Sequence, residues 1–210
     1  MRDVKGTEPG VRAARTAATR RRMVTAAYTL FCERGYLSTT MNDVADEAKV
    51  AVQTLYFTFG SKSALLQEAF VQAVLGPEPT PPHLQPWFSR MQRTTDPRVA
   101  LGHAIGGSTA IFERVAPLVA AVQGVSEDAE VAVVYARQEA RRRQGYTDII
   151  TILASKKPLR KGLAVDRATD VFLVLVSPPV YASFVVGCGW SSRDFLLWAT
   201  ETMCQELFGA

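Results

Sequence analysis

With 210 residues, 48% of them hydrophobic and 21% charged, the chain has globular composition and is long enough to bury a core, which excludes fibrous and disordered classes. The net charge of +4 is too small to argue for a polyanionic partner by itself. The charge is unevenly placed, however: Arg2, Lys5, Arg12, Arg15, Arg20, Arg21 and Arg22 crowd residues 1–22 against only Asp3 and Glu8. Residues 1–14 therefore read as a basic, disordered arm. From Arg15 to Arg34, Met23, Val24, Ala27, Leu30 and Phe31 recur at helical spacing, and Gly35 supplies the left-handed stop. Thr40 followed by Asp43 has capping-box spacing and opens a second short helix with Val44, Ala45 and Ala48 as its buried face. Lys49-Val50-Ala51 breaks it. Periodicity resumes over Val52 to Phe59, with Leu55 and Phe59 facing inward and Phe57 read as a core ring. Two short helices about a three-residue turn make a helix-turn-helix. Gly60-Ser61 then caps a fourth helix, Lys62 to about Leu75.

Pro77, Pro79, Pro81, Pro82 and Pro86 punctuate the following segment, so 76–96 reads as a Pro-rich connection. Beyond it the pattern predicts long helices over 97–122, 127–155, 166–188 and 193–208, with no strand alternation and no internal repeat. The expected architecture is all-α: an arm (1–14), a helix-turn-helix domain (15–75), the connection (76–96) and a larger helical domain (97–210). The uncharged stretch 171–192 is long enough to cross a bilayer. Ser177-Pro178-Pro179 at its middle and the absence of a dense Lys/Arg cluster on either flank favour a buried, Pro-kinked helix instead.

The segments Tyr36-Leu37-Ser38-Thr39-Thr40-Met41-Asn42-Asp43-Val44-Ala45 and Val50-Ala51-Val52-Gln53-Thr54-Leu55-Tyr56-Phe57-Thr58-Phe59-Gly60-Ser61-Lys62-Ser63-Ala64-Leu65 resemble the TetR family of transcriptional regulators. The resemblance covers about residues 15–75. It implies a four-helix DNA-binding domain, a variable ligand-binding domain, and a homodimer built from the last two helices. Where the family usually has Gly and a Ser cap, this chain has Lys49 and Ala51. Each departure costs roughly 1 kcal/mol.

Double-stranded DNA is the expected partner, met by Thr40, Val52, Gln53, Thr54, Tyr56, Thr58, Ser61 and Lys62. Gln53 suits an adenine edge, Thr54 a thymine methyl or phosphate, and Tyr56, Thr40 and Lys62 the sugar-phosphate backbone. The basic arm suits a neighbouring minor groove. In the larger domain Phe112, Tyr135, Tyr146 and Tyr181 are candidates to line a pocket for an unknown apolar or amphipathic effector. On the last helix Leu196, Ala199, Met203 and Leu207 form one apolar stripe, and Phe195, Trp198 and Thr202 an adjacent one. A dimer interface through Ala182, Leu196, Trp198, Ala199 and Met203 follows, with a near-palindromic operator. Arg141-Arg142-Arg143 reads as a solvated face.

No nucleophile elbow, phosphate loop or acid pair suggests an enzyme. Cys32, Cys188 and Cys204 form no CxxC, and His83 and His103 lack ligand spacing, so no metal and no cofactor is expected. Without an apolar leader segment, the expected setting is a reducing cytoplasm. The expected function is repression relieved by a small molecule. Competing readings are a helix-turn-helix protein with no small-molecule ligand and a membrane-anchored helical protein using 171–192.

Overall fold

A computed structural model describes residues 9–123, 125 and 128–209, all helix and connection with no strand among them. It divides into two compact units, 1–69 and 70–210, with the division falling inside one helix. Arg2 and Lys5 of the expected arm lie outside the described residues.

In the first unit, α1 (Pro9–Arg34) begins well before Arg15, so residues 9–14 are helical and the expected arm is shortened to that extent. Its opening turns are exposed over 12–18, so propensity holds them: Ala13, Ala14 and the arginines are good helix formers. Packing starts further on, where Met23, Val24, Ala27, Leu30 and Phe31 are buried as their spacing requires. Gly35 closes the helix at φ +82°, its N–H donating to Phe31 O at 3.0 Å. α2 (Met41–Ala48) carries the expected capping box: Asp43 N–H donates to Thr40 Oγ1 at 3.1 Å, and Thr40 N–H donates back to Asp43 Oδ2 at 2.8 Å. These bonds hold the Asp43 carboxyl below its usual range. α3 (Val52–Phe59) and α4 (Lys62–Leu75) complete the unit, with Leu55, Leu65, Leu66 and Ala69 facing its core.

The turn between α2 and α3 contains both departures from the family pattern. Lys49 sits at φ 54°, ψ 52°, the left-handed conformation in which a Cβ is crowded, and Ala51 precedes α3 with no side-chain cap. Lys49→Gly and Ala51→Ser are each expected to stabilise the chain by about 1 kcal/mol. Denaturant midpoints that do not rise for either variant would contradict this account of the turn.

In the second unit the Pro-rich connection expected over 76–96 contains helical turns. Pro82–Leu84 forms a 3-10 turn and α5 (Pro86–Arg93) a two-turn helix. Pro82 and Pro86 stand in first helical turns, where the missing N–H costs nothing, so they start helices here. α6 (Pro97–Val122) and α7 (Ala129–Lys156) are the long central helices, each capped by an aspartate, Asp96 and Asp128. The segment expected as one helix over 166–188 is three. α8 (Val165–Leu175) ends where Val176 leaves helical backbone at ψ 73°; Ser177 caps α9 (Pro178–Ala182), and a π-helical turn, Ser183–Gly187, follows. α10 (Ser192–Phe208) closes the unit behind a Ser191–Asp194 capping box.

The core joins Met91, Leu101, Ile105, Phe112, Tyr146, Ile150, Phe172, Phe195 and Met203. By length and composition, 97–122 and 165–187 each suffice to cross a membrane, and they differ in what they bury. Buried residues make up 56% of the apolar window in the first but 28% in the second, so 165–187 keeps apolar surface that the unit does not cover.

Candidate nucleic-acid interface and interior cavity

α3 is short, and of its residues only Leu55 is fully buried. Gln53, Thr54 and Tyr56 are exposed, Tyr56 by half, and their side chains make no hydrogen bond among the described residues. Phe57, expected as a core ring, is instead 92% exposed. The local reason is rotational. Leu55 anchors the helix with Val52 and Phe59 half-buried on its side, and Phe57 lies about 200° from Leu55 around the axis, the opposite face. Phe59 takes a half-buried place under Arg20, whose guanidinium lies 4.6 Å from its ring centre and also pairs with Glu68 at 3.0 Å.

The other expected contact residues are differently occupied. Thr58 Oγ1 donates to Thr54 O at 2.7 Å, folding its hydroxyl onto α3. Thr40 is exposed, yet its hydroxyl donates to Asp43 Oδ2 at 2.6 Å. Ser61 Oγ accepts from Ala64 N–H at 3.1 Å and so caps α4. Val52 is half-buried. Lys62 departs most from expectation. Its ammonium turns inward, donates to Tyr36 O at 2.9 Å and Thr39 O at 3.0 Å, and lies 4.2 Å from the Tyr36 ring centre. It ties the start of α4 to the turn before α2.

The second unit holds a partly open cavity of about 430 Å³. The last turns of α4 (Phe70, Val71, Val74), α5 (Trp87, Phe88), α6 (Ile111, Phe112, Val115) and α7 (Tyr135, Tyr146, Ile149) supply its apolar walls. Three of the four residues expected to line a pocket do so: Phe112, Tyr135 and Tyr146. Tyr181 does not. Its ring packs edge-on against Phe195 at 5.3 Å and its hydroxyl bonds Ser192 Oγ at 2.8 Å, which makes it a core residue.

Trp87 reaches the cavity because it lies against Gly107, where a Cβ would stand 2.2 Å from the indole. Polar groups at the walls are few. Burial raises the Tyr146 phenol, keeping it a proton donor, and it donates to Val176 O at 2.8 Å. Arg142, expected on a solvated face with its neighbours, has only 17% of its side chain exposed. It grips Glu139 and donates to Leu173 O at 2.8 Å, while Arg141 and Arg143 stay outside as expected. Sequence reasoning missed Gln138, Trp87 and Phe88, because a cavity wall is assembled from distant segments and has no local signature.

On α10 the buried stripe is Phe195, Ala199, Met203 and Leu207, every one at most 1% exposed. Ala199 and Met203 therefore belong to the core of this unit, contrary to their expected place in a dimer interface. Stripes one residue apart are hard to phase from sequence, because 3.6-residue periodicity lets Phe195 or Leu196 start an inward row. Leu196, Trp198 and Ala182 are partly buried, and Leu197, Val174 and Val186 are exposed by 59%, 64% and 80%. Trp198 stacks with Phe184 at 4.5 Å, and Phe184 with Trp190 at 4.5 Å.

Residues 24–69, which include α2 and α3, match the family described as bacterial regulatory proteins, tetR family. No curated protein matched the sequence. The chain is similar in fold to NalD, the secondary repressor of the MexAB-OprM multidrug efflux pump in Pseudomonas aeruginosa, at TM-score 0.66 and 17% identity, covering 93% of this chain and 98% of the other. It is similar to a protein from Saccharomonospora viridis in complex with choline, at TM-score 0.69 and 17% identity, covering 91% and 98%. It is also similar to the transcriptional regulator FadR from Bacillus subtilis in complex with stearoyl-CoA, at TM-score 0.63 and 15% identity, covering 90% and 98%. At these identities the likeness is one of fold.

Proposed function

We propose that the chain is a homodimeric repressor that reads a near-palindromic operator with α3 and releases it when a small molecule fills the cavity of the second unit. The observation that carries the reading is the composition of α3. A helix this short gains little from its own propensity, and it holds Gln53, Thr54, Tyr56 and Phe57 outward from the buried anchor Leu55. Gln53 is suited to adenine, Thr54 and Phe57 to the methyl groups of thymine, and Tyr56 to a phosphate. Thr40, Val52, Thr58, Ser61 and Lys62 act at one remove, shaping the ends of the helices that present those side chains.

Dimerisation is assigned to the uncovered apolar surface of 165–187 and α10, through Ala182, Leu196, Leu197, Trp198 and Val186 in place of Ala199 and Met203. Two copies place two reading heads on two half-sites, which is why the operator should be palindromic. Relatives of similar fold solved with choline and with stearoyl-CoA support an effector role for the cavity. α4 belongs to both functions by chain continuity, since it starts at Lys62 and its last turns line the cavity.

The test is selection of binding sites from a random duplex library, followed by anisotropy titrations. Recovery of an inverted repeat supports the reading, and a cavity ligand must then weaken operator binding by the factor by which operator weakens its own, because coupling is one free energy seen from either end. Enrichment of no duplex at physiological salt would overturn it.

A further inference from the structure

We propose that the cavity of the second unit accepts an uncharged, largely apolar molecule that offers one hydrogen-bond acceptor, such as a carbonyl oxygen, to the side-chain amide of Gln138. This deepens the effector reading above and rests on it.

The charged groups of the interior wall are already spent on partners within the protein. Arg142 directs Nε to Glu139 Oε1 at 3.2 Å and Nη2 to Glu139 Oε2, while Nη1 donates to Leu173 O at 2.8 Å and Val176 O at 3.3 Å. The guanidinium and the carboxylate thus cancel each other and are locked in place. Tyr146 has committed its proton to Val176 O at 2.8 Å. Asp148 accepts from Gln144 at 3.0 Å, and it, Arg141 and His83 are exposed, where charge is screened by water.

Ser108 faces the Tyr146 hydroxyl, and Tyr135 is half-buried with a hydroxyl still able to bond, so among the fully buried polar atoms of the wall one is left without a partner. Gln138 lines the cavity, and its Nε2 is buried with no hydrogen-bond partner among the described residues. A buried donor left unpaired is costly, and a ligand acceptor recovers that cost once the side-chain amide turns toward the cavity its residue lines. An anionic ligand would need an unspent buried cation and a cationic one an unspent carboxylate, and the interior walls offer neither. The aromatic and aliphatic lining supplies the rest of the contact.

Four probes sharing one rigid skeleton separate the possibilities: para-acetylbiphenyl, para-ethylbiphenyl, biphenyl-para-carboxylate and biphenyl-para-trimethylammonium. Their binding to the full chain is measured by calorimetry and melting temperature. The acetyl compound is expected to bind about tenfold more tightly than the ethyl compound, the worth of one buried hydrogen bond, and both charged probes more weakly than either. Gln138→Leu is expected to abolish the preference for acetyl over ethyl while still binding ethyl, and Gln138→Met, which keeps the side-chain length, should behave alike. Neither should melt below the parent, since each removes an unpaired buried donor. A charged probe binding as tightly as the acetyl compound, a preference that survives in both variants, or no binding of the acetyl compound would overturn the proposal. Acetyl binding with the expected preference but indifferent to operator would uphold the ligand class and sink the effector reading instead.

Discussion

Met203→Arg is expected to abolish folding of the second unit, whereas Leu197→Arg is expected to leave it folded and turn the proposed dimer into a monomer. Met203 is 0% exposed within one chain, in the stripe with Phe195, Ala199 and Leu207, so an arginine there buries an unpaired charge. The cost, roughly 3–5 kcal/mol with further loss from overpacking, is a large part of the 5–15 kcal/mol by which a domain is typically stable. Leu197 is 59% exposed and its replacement costs the isolated chain little. If it lies in the interface, the two-fold repeats it, so the substitution places two unpaired charges there. Circular dichroism melts and light scattering separate the outcomes. A folded, dimeric Met203→Arg protein would contradict the core assignment, and a dimeric Leu197→Arg protein would move the interface elsewhere.

The second large effect distinguishes support from contact in the reading head. Lys62→Ala is expected to lower stability by about 1.5–3 kcal/mol, because its ammonium serves Tyr36 O and Thr39 O and covers the Tyr36 ring. Since that charge is spent inside the protein, the salt dependence of the DNA affinity of the fraction still folded should change little. Tyr56→Ala and Phe57→Ser should do the opposite. Both residues are exposed, so melting temperatures should hardly move, while operator affinity falls roughly tenfold or more. A stable Lys62→Ala protein with a flatter salt slope would return Lys62 to the phosphate backbone. Full-strength operator binding by both α3 variants would remove that helix from the interface.

What the sequence disclosed, and what it withheld, follows the range of the interaction. The capping box of Thr40 and Asp43, the glycine stop at Gly35, the left-handed Lys49 and the uncapped Ala51 depend on a few neighbouring residues, and each is legible in the order of the chain. The helix-turn-helix was readable for the same reason. Phe57 was misplaced because a run of aromatics at 56, 57 and 59 carries no phase of its own, and the buried Leu55 decides which ring turns inward. The α10 stripe was set one residue off at its start for a similar reason.

Lys62 shows a different limit: a cation at a helix start in a DNA-binding motif looks like a phosphate ligand until the two carbonyls it serves, at 36 and 39, are seen beside it. The prolines of 76–96 misled because proline forbids helix interiors yet favours helix beginnings. Of the cavity, aromatic content hinted at Phe112, Tyr135 and Tyr146, but nothing in chain order separates them from Tyr181.

The contact between Trp87 and Gly107 restricts how this chain can change over generations. A side chain at position 107 would collide with the indole at 2.2 Å, so that wall cannot be thickened there while the indole keeps its place. Ile111, Val115 and Val119 follow Gly107 along the same helix at four-residue intervals and also face the cavity. Exchanges among valine, isoleucine, leucine and alanine at those places resize the space in steps of one or two methyl groups and leave the indole seated. That row of α6 is thus a place where new chemical tastes can arise by single exchanges.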